Sequence, residues 1–134
     1  MNFLKAGCVL AGLLYVTTAS AQQLTINSVS VSAFSKSANT CSRLGGNGNP
    51  PTITIRHSKS LGSISVSMID RLNNGNTVNH GSTSVSADAS GTTKLTYAFL
   101  PPCNRRTAEG LKSAYYVTAS SGGSSKTVLW TRYP

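Results

Sequence analysis

The sequence predicts an all-β fold, an antiparallel β-sandwich with one disulfide and little helix, and three observations support this prediction. Apolar and polar residues alternate in short runs, which is the period of a half-buried strand. Clusters of Gly, Asn, Pro and Ser separate these runs at short intervals, as turns between strands require. Two cysteines, Cys41 and Cys103, remain once a predicted N-terminal leader is set aside. The remaining length suits a single domain with one core.

Seven alternating runs are expected to form the strands. The first, residues 24–33, loses its alternation near Asn27 and Ser28, which predicts one long or bulged strand. The others are residues 52–56, 63–70, 84–87, 95–99, 116–119 and 127–130. A helical period is present only over residues 107–113, where it predicts one turn that Gly110 weakens. Strands at such short intervals indicate an antiparallel sandwich or barrel.

The first 21 residues predict a cleaved export signal. Lys5 precedes an apolar run, residues 6–16, that is too short to span a bilayer. Residues 19–21, Ala-Ser-Ala, have the small-x-small form that a signal peptidase accepts. Cleavage after Ala21 would release one domain, residues 22–134, into the periplasm or the medium with no membrane span. Two cysteines in an exported chain are typical of one disulfide, here between Cys41 and Cys103.

The chain is strongly basic, with 12 Lys and Arg residues, three acidic residues and a formal net charge of +9. Such a balance suits nucleic acid, an anionic membrane face or a phosphorylated ligand. The cations are spread singly except for Arg105 and Arg106, so a role in solubility alone is the simpler interpretation. No basic stripe is interleaved with aromatic residues, so nucleic-acid binding is not expected.

Catalysis is not predicted. The two histidines and three carboxylates form no G-x-S-x-G, H-E-x-x-H or P-loop motif. A zinc site would need more soft ligands than this chain contains. We therefore expect no enzyme, no metal and no cofactor.

Asp70 and His80 are the candidate binding residues. Asp70 ends the most regular predicted strand, and the Asn- and Gly-rich stretch after it can fold back to bring His80 and Gly81 near that strand end. A protonated His80 steadied by Asp70 could bind an anion. Alternatively, Asp70 caps the turn at residues 73–75 and His80 is exposed. Two proline loops, residues 48–51 and 100–103, are expected to converge at the same end if the disulfide forms.

The order of these motifs resembles the phosphatidylethanolamine-binding (Raf-kinase-inhibitor-like) family, in particular its exported bacterial branch. The resemblance covers roughly residues 24–119 and rests on Thr40-Cys41-Ser42, residues 46–53, residues 63–70, His80-Gly81, Pro101-Pro102-Cys103 and residues 116–119. It implies a β-sandwich with a small pocket for phosphate-like head groups. The residues that it places at this pocket are Asp70, His80, Gly81, Pro101, Pro102 and Tyr116.

We therefore expect an exported, monomeric, non-enzymatic binding protein for a small anionic or phosphate-bearing ligand. The alternative is a secreted β-sandwich interaction protein, of the inhibitor or adhesion type, that binds a protein partner and no small molecule. In that case the Asp70–His80 region is open and solvated, and Trp130 or Tyr133 contributes to an exposed aromatic patch.

Overall fold

The computed structural model describes residues 23–36, 41–42 and 45–134, with the backbone alone at residues 41, 42 and 45. The predicted leader, residues 1–21, lies outside the described residues. The described residues form no helix, and therefore none that is long and apolar enough to cross a membrane. The strands are β1 (Ile26–Val31), β2 (Cys41–Ser42), β3 (Gly45–Gly46), β4 (Thr52–His57), β5 (Ser63–Leu72), β6 (Thr77–Ser86), β7 (Thr92–Thr96), β8 (Ser113–Ser121) and β9 (Ser124–Arg132).

Two antiparallel sheets make up the fold. One has the strand order β1-β4-β7, the other has the order β6-β5-β8-β9, and β2 pairs with β3 in a short ribbon. The inward side chains of both sheets form one apolar core, because alternation puts every second residue of β4, β5 and β8 on the buried face. Its buried members are Leu24, Ile26, Val29, Ile53, Ile55, Ile64, Val66, Met68, Ala87, Tyr97, Tyr115, Val117 and Ala119. This arrangement is consistent with the predicted β-sandwich.

The bulge predicted in the first strand is confirmed. The pairing register of β1 with β4 shifts between Ile26 and Ser28, where the alternation in the sequence breaks. Because one extra residue is accommodated there, Ile26 and Val29 both reach the core although they are three positions apart.

The predicted strand at residues 95–99 is wrong in its position. β7 ends at Thr96, which pairs with Thr52 at the start of β4, so no partner strand continues beyond it. The next residue, Tyr97, donates its backbone N–H to the carbonyl of Pro51 at 3.0 Å and remains buried. Alternating burial therefore continues past the end of the hydrogen-bonded strand.

The helical turn predicted at residues 107–113 is also wrong. The Thr107 N–H donates to the Leu111 carbonyl at 2.9 Å, and the Gly110 N–H donates to the Thr107 carbonyl at the same distance. Gly110 has φ +88°, a conformation that ends a tight turn and cannot continue a helix. The segment is a turn closed by a bridge between Arg106 and Lys112.

Candidate functional site

Asp70 and His80 lie together, as the predicted fold-back of the chain requires. The Nε2 atom of His80 is 4.0 Å from Oδ2 of Asp70. The turn between β5 and β6 holds them there, since the Leu72 N–H donates to the Asn76 carbonyl at 2.8 Å. Asp70 Oδ2 bonds Ser113, its Oδ1 has no hydrogen-bond partner, and His80 is half-buried, so the alternative in which Asp70 caps the turn at residues 73–75 and His80 is exposed is wrong.

A bulge in β6 directs His80 toward the core. Ser82 pairs with Ser67 and Asn79 pairs with Ile69, so His80 and Gly81 together stand opposite the buried Met68. Gly81 has φ +90°, and its N–H donates to Oδ1 of Asn79 at 2.7 Å. A residue with a β-carbon would be strained at this φ. The glycine therefore makes the bulge possible, and the bulge brings the imidazole to Asp70.

The Asp70–His80 pair is incompletely hydrogen-bonded. Asp70 Oδ2 accepts a hydrogen bond of 2.8 Å from Oγ of Ser113. Asp70 Oδ1 and His80 Nε2 are buried and have no partner. Burial lowers the pKa of His80, and the neighbouring Asp70 carboxylate opposes this shift to a smaller extent. At neutral pH the imidazole is therefore uncharged, and this site offers no positive charge to an anion.

His80 also lines a groove of about 400 Å³ between the edge of β6 and the chain that leaves β7. Its ring stacks on Phe99, with centroids 4.0 Å apart and planes at 28°. The Tyr97 hydroxyl donates to the Gly81 carbonyl at 2.7 Å and ties the two walls together. The lining residues are His80, Gly81, Ser82, Thr83, Thr96, Tyr97, Ala98 and Phe99. The groove contains rings and hydroxyls and no cation.

Three other residues implied by the resemblance lie elsewhere. The carbonyl of Pro101 accepts the Gly48 N–H at 2.8 Å, and Pro102 forms a bridge with Asn47, so the two proline loops do converge. Neither proline lines the His80 groove. Tyr116 is on the outer face of β8, where the guanidinium carbon of Arg71 lies 4.6 Å from its ring centroid.

The tyrosine beside His80 is Tyr115. It pairs with Asp70 across β5 and β8, and its ring centroid is 5.9 Å from that of His80. Neighbouring residues of a strand face opposite sides, so only one of the two tyrosines can reach the core. The sequence carries this information, because Val117 and Ala119 continue the apolar face that Tyr115 begins.

A second site, which we term the basic pocket, lies at the opposite face of the same strand ends. Arg71, Ala114 and Arg132 are direct neighbours across β5, β8 and β9. Their side chains share the outer face of the sheet, and the small Ala114 leaves an opening of about 200 Å³ between the two arginines. The pocket is lined by Arg71, Leu72, Asn73, Lys112, Ser113, Ala114, Arg132 and Tyr133.

Hydrogen bonds fix the rim of the basic pocket. Asn73 and Lys112 exchange two bonds, Asn73 N–H to the Lys112 carbonyl and Lys112 N–H to Asn73 Oδ1, each at 3.0 Å. Arg106 donates from Nη2 to the Tyr133 hydroxyl at 2.6 Å, and this bond lowers the pKa of Tyr133. The ammonium of Lys112 lies 5.0 Å from the centroid of the same ring. Tyr133 thus holds two cations beside the pocket.

No carboxylate neutralises these cations. In the described part of the chain, no Lys or Arg nitrogen lies within 4.0 Å of an acidic oxygen. Asp70 is next to Arg71 in sequence but faces the core. The basic pocket was not predicted, because Arg71, Lys112 and Arg132 are far apart in the sequence and only the strand register unites them.

Comparisons with known proteins give no relative for this chain. No family model, no curated protein and no solved structure matches it. The resemblance to the phosphatidylethanolamine-binding family therefore stays a prediction.

Proposed function

We propose that the chain is an exported, non-catalytic binding protein whose small anionic ligand occupies the basic pocket. The observation that supports this most directly is the row Arg71–Ala114–Arg132, with Lys112 two residues before Ala114 in the same pocket lining and no carboxylate beside any of the three cations. Cations without a carboxylate partner around a concave opening favour a ligand that carries negative charge.

The geometry suits an oxyanion such as phosphate, sulfate or a carboxylate. One strand, β8, lies between the strands of Arg71 and Arg132, so their Cα atoms are two inter-strand spacings, or roughly 10 Å, apart. Two long side chains anchored at that spacing can approach one oxyanion from both sides, and guanidinium groups bind such anions through paired hydrogen bonds. The pocket is small and open to solvent, so we expect a dissociation constant of roughly 1 mM and a strong dependence on salt.

Replacing Arg132 with Gln is expected to weaken sulfate binding by about tenfold, because one charged hydrogen-bonding partner is lost. The measurement is a sulfate titration followed by amide NMR shifts at constant ionic strength. Arg56→Gln is the matched control, since Arg56 is exposed on β4 of the other sheet and its loss changes the net charge equally. Equal weakening in both variants would mean that net charge, and not the pocket, attracts the anion.

Export belongs to the same proposal. We expect the mature protein to begin at Gln22, because the leader ends in the Ala-Ser-Ala cleavage form. Intact mass measurement of the secreted or periplasmic product tests this. A product that retains residues 1–21 would contradict it.

The proposal includes the disulfide between Cys41 and Cys103. Its support is the backbone around Gly46. Cys41 pairs with Gly46 in the β2–β3 ribbon, and the Cys103 N–H donates to the Gly46 carbonyl at 2.9 Å. Both cysteines therefore flank the same residue.

The alternative function, binding to a protein partner through an exposed aromatic patch, has less support. Trp130 packs against the core, and its Nε1–H donates to the Ser32 carbonyl at 2.9 Å. Tyr133 is half-buried and engaged by Arg106. Neither residue presents the free aromatic surface that this function would use.

A further inference from the structure

The Asp70–His80 pair lies directly behind the basic pocket. Asp70 and Arg71 are consecutive residues on opposite faces of β5. Ser113 touches both sites, because its Oγ donates to Asp70 Oδ2 at 2.8 Å while the residue also lines the pocket. Ser113 thus connects the buried carboxylate to the lining of the basic pocket.

We propose that His80 regulates the basic pocket, so that proton uptake on His80 strengthens anion binding there. This inference rests on the proposed function and names how the same site is controlled. With His80 neutral, the charge of Asp70 is uncompensated and repels an anion held on the other side of Ser113. A proton taken from solvent onto Nε2 places a positive charge 4.0 Å from Asp70 Oδ2 and cancels that repulsion.

The groups around His80 leave it as the residue that changes charge. From β5 it faces Asp70, and from β8 it faces Tyr115, on which Asp70 and the Arg105 guanidinium also act. From the segment after β7 it faces Phe99, which carries no charge. Burial raises the pKa of Tyr115, so its phenol stays neutral in the acidic and neutral range.

The direction of the effect follows from the burial of His80. Its pKa is lowered, so the imidazole is uncharged at neutral pH and takes up its proton below the ordinary range near pH 6.5. Anion affinity should therefore rise as the pH falls through that range. Linkage requires the reverse as well, so a bound anion must raise the proton affinity of His80 by the same factor and thereby raise its pKa.

Sulfate is the probe, because its charge stays constant between about pH 5.5 and pH 8 whereas that of phosphate does not. For the full mature domain we expect about three- to tenfold tighter sulfate binding at the lower pH. His80→Gln should remove this difference and keep the affinity measured at about pH 8. In the unmodified protein, saturating sulfate should shift the NMR titration of the His80 ring to higher pH and leave the His57 ring unchanged.

His57 is the internal control, since it lies at the end of β4 in the other sheet and does not line the basic pocket. Absence of sulfate binding at both pH values would overturn the proposed function itself. Binding that is independent of pH, with no shift at His80, would overturn only the regulation. A pH dependence that survives in His80→Gln would assign it to another group and would also overturn the inference.

Discussion

Replacing Tyr115 with alanine is expected to lower the free energy of unfolding by about 3–5 kcal/mol. Tyr115 is 2% exposed and contacts three other rings, those of His80, Phe99 and Trp130. Truncation would leave a cavity in the centre of the core that these rings cannot fill without leaving their own contacts. Urea unfolding followed by fluorescence, with the extrapolated free energy compared to that of the unmodified protein, measures the loss.

Tyr116→Ala is the matched control for this experiment. It removes the same side chain from the next position on β8, where the ring lies on the outer face beside Arg71. We expect a loss of about 1 kcal/mol or less, because a half-buried surface contact is given up and no cavity forms. Equal losses in the two variants would contradict the assignment of Tyr115 to the core.

This pair of residues also illustrates what alternation predicts and what it leaves open. A period of two located β4, β5, β8 and β9, because each strand buries one face and exposes the other. In β8 it also favours Tyr115 as the inward residue, because Val117 and Ala119 lie in the same phase, whereas Tyr116 was implied only by the resemblance. What alternation leaves open is the partner, since only the pairing places Tyr115 opposite the buried Asp70.

In the region that forms β6 (Thr77–Ser86), the alternating pattern predicts only the strand at residues 84–87. β6 is an edge strand with few apolar residues, and nearly all of its side chains are exposed. It is a strand because it pairs with β5 through backbone hydrogen bonds, and not because it buries one face. Such pairing does not produce an alternating hydropathy pattern in the sequence. The Asp70–His80 contact was nevertheless predictable, because a single turn joins β5 to β6 and such local contacts can be inferred from the turn residues.

The basic pocket could not be predicted from the sequence pattern. Arg71 and Arg132 are neighbours only because β8 lies between their strands, with Ala114 as the shared partner. Each arginine in the sequence looks like an isolated surface charge. The same three-strand register also separates the pocket from Asp70 by one sheet thickness, which is the basis for the proposed control by His80.

Loss of the disulfide is the second large effect. If Cys41 and Cys103 are joined, the double variant Cys41→Ser/Cys103→Ser should lower the free energy of unfolding by about 4 kcal/mol. The bond would close a loop of roughly 60 residues, and releasing that loop gives the unfolded chain more freedom. Urea unfolding with and without reductant measures this. The double variant should be insensitive to reductant, whereas reductant should destabilise the unmodified protein.

Hydrogen exchange would show where the folded protein depends on this bond. The β2–β3 ribbon has two residues in each strand and is too short to be stable alone. Backbone bonds attach it to the second proline loop, from Gly48 to the Pro101 carbonyl and from Cys103 to the Gly46 carbonyl. We expect the amides of Gly48 and Cys103 to exchange faster after reduction. The amides of Val66 in β5 and Val117 in β8 should stay better protected from exchange than these two. Unchanged unfolding on reduction, together with two titratable thiols in the native protein, would contradict the disulfide and leave the ribbon held by hydrogen bonds alone.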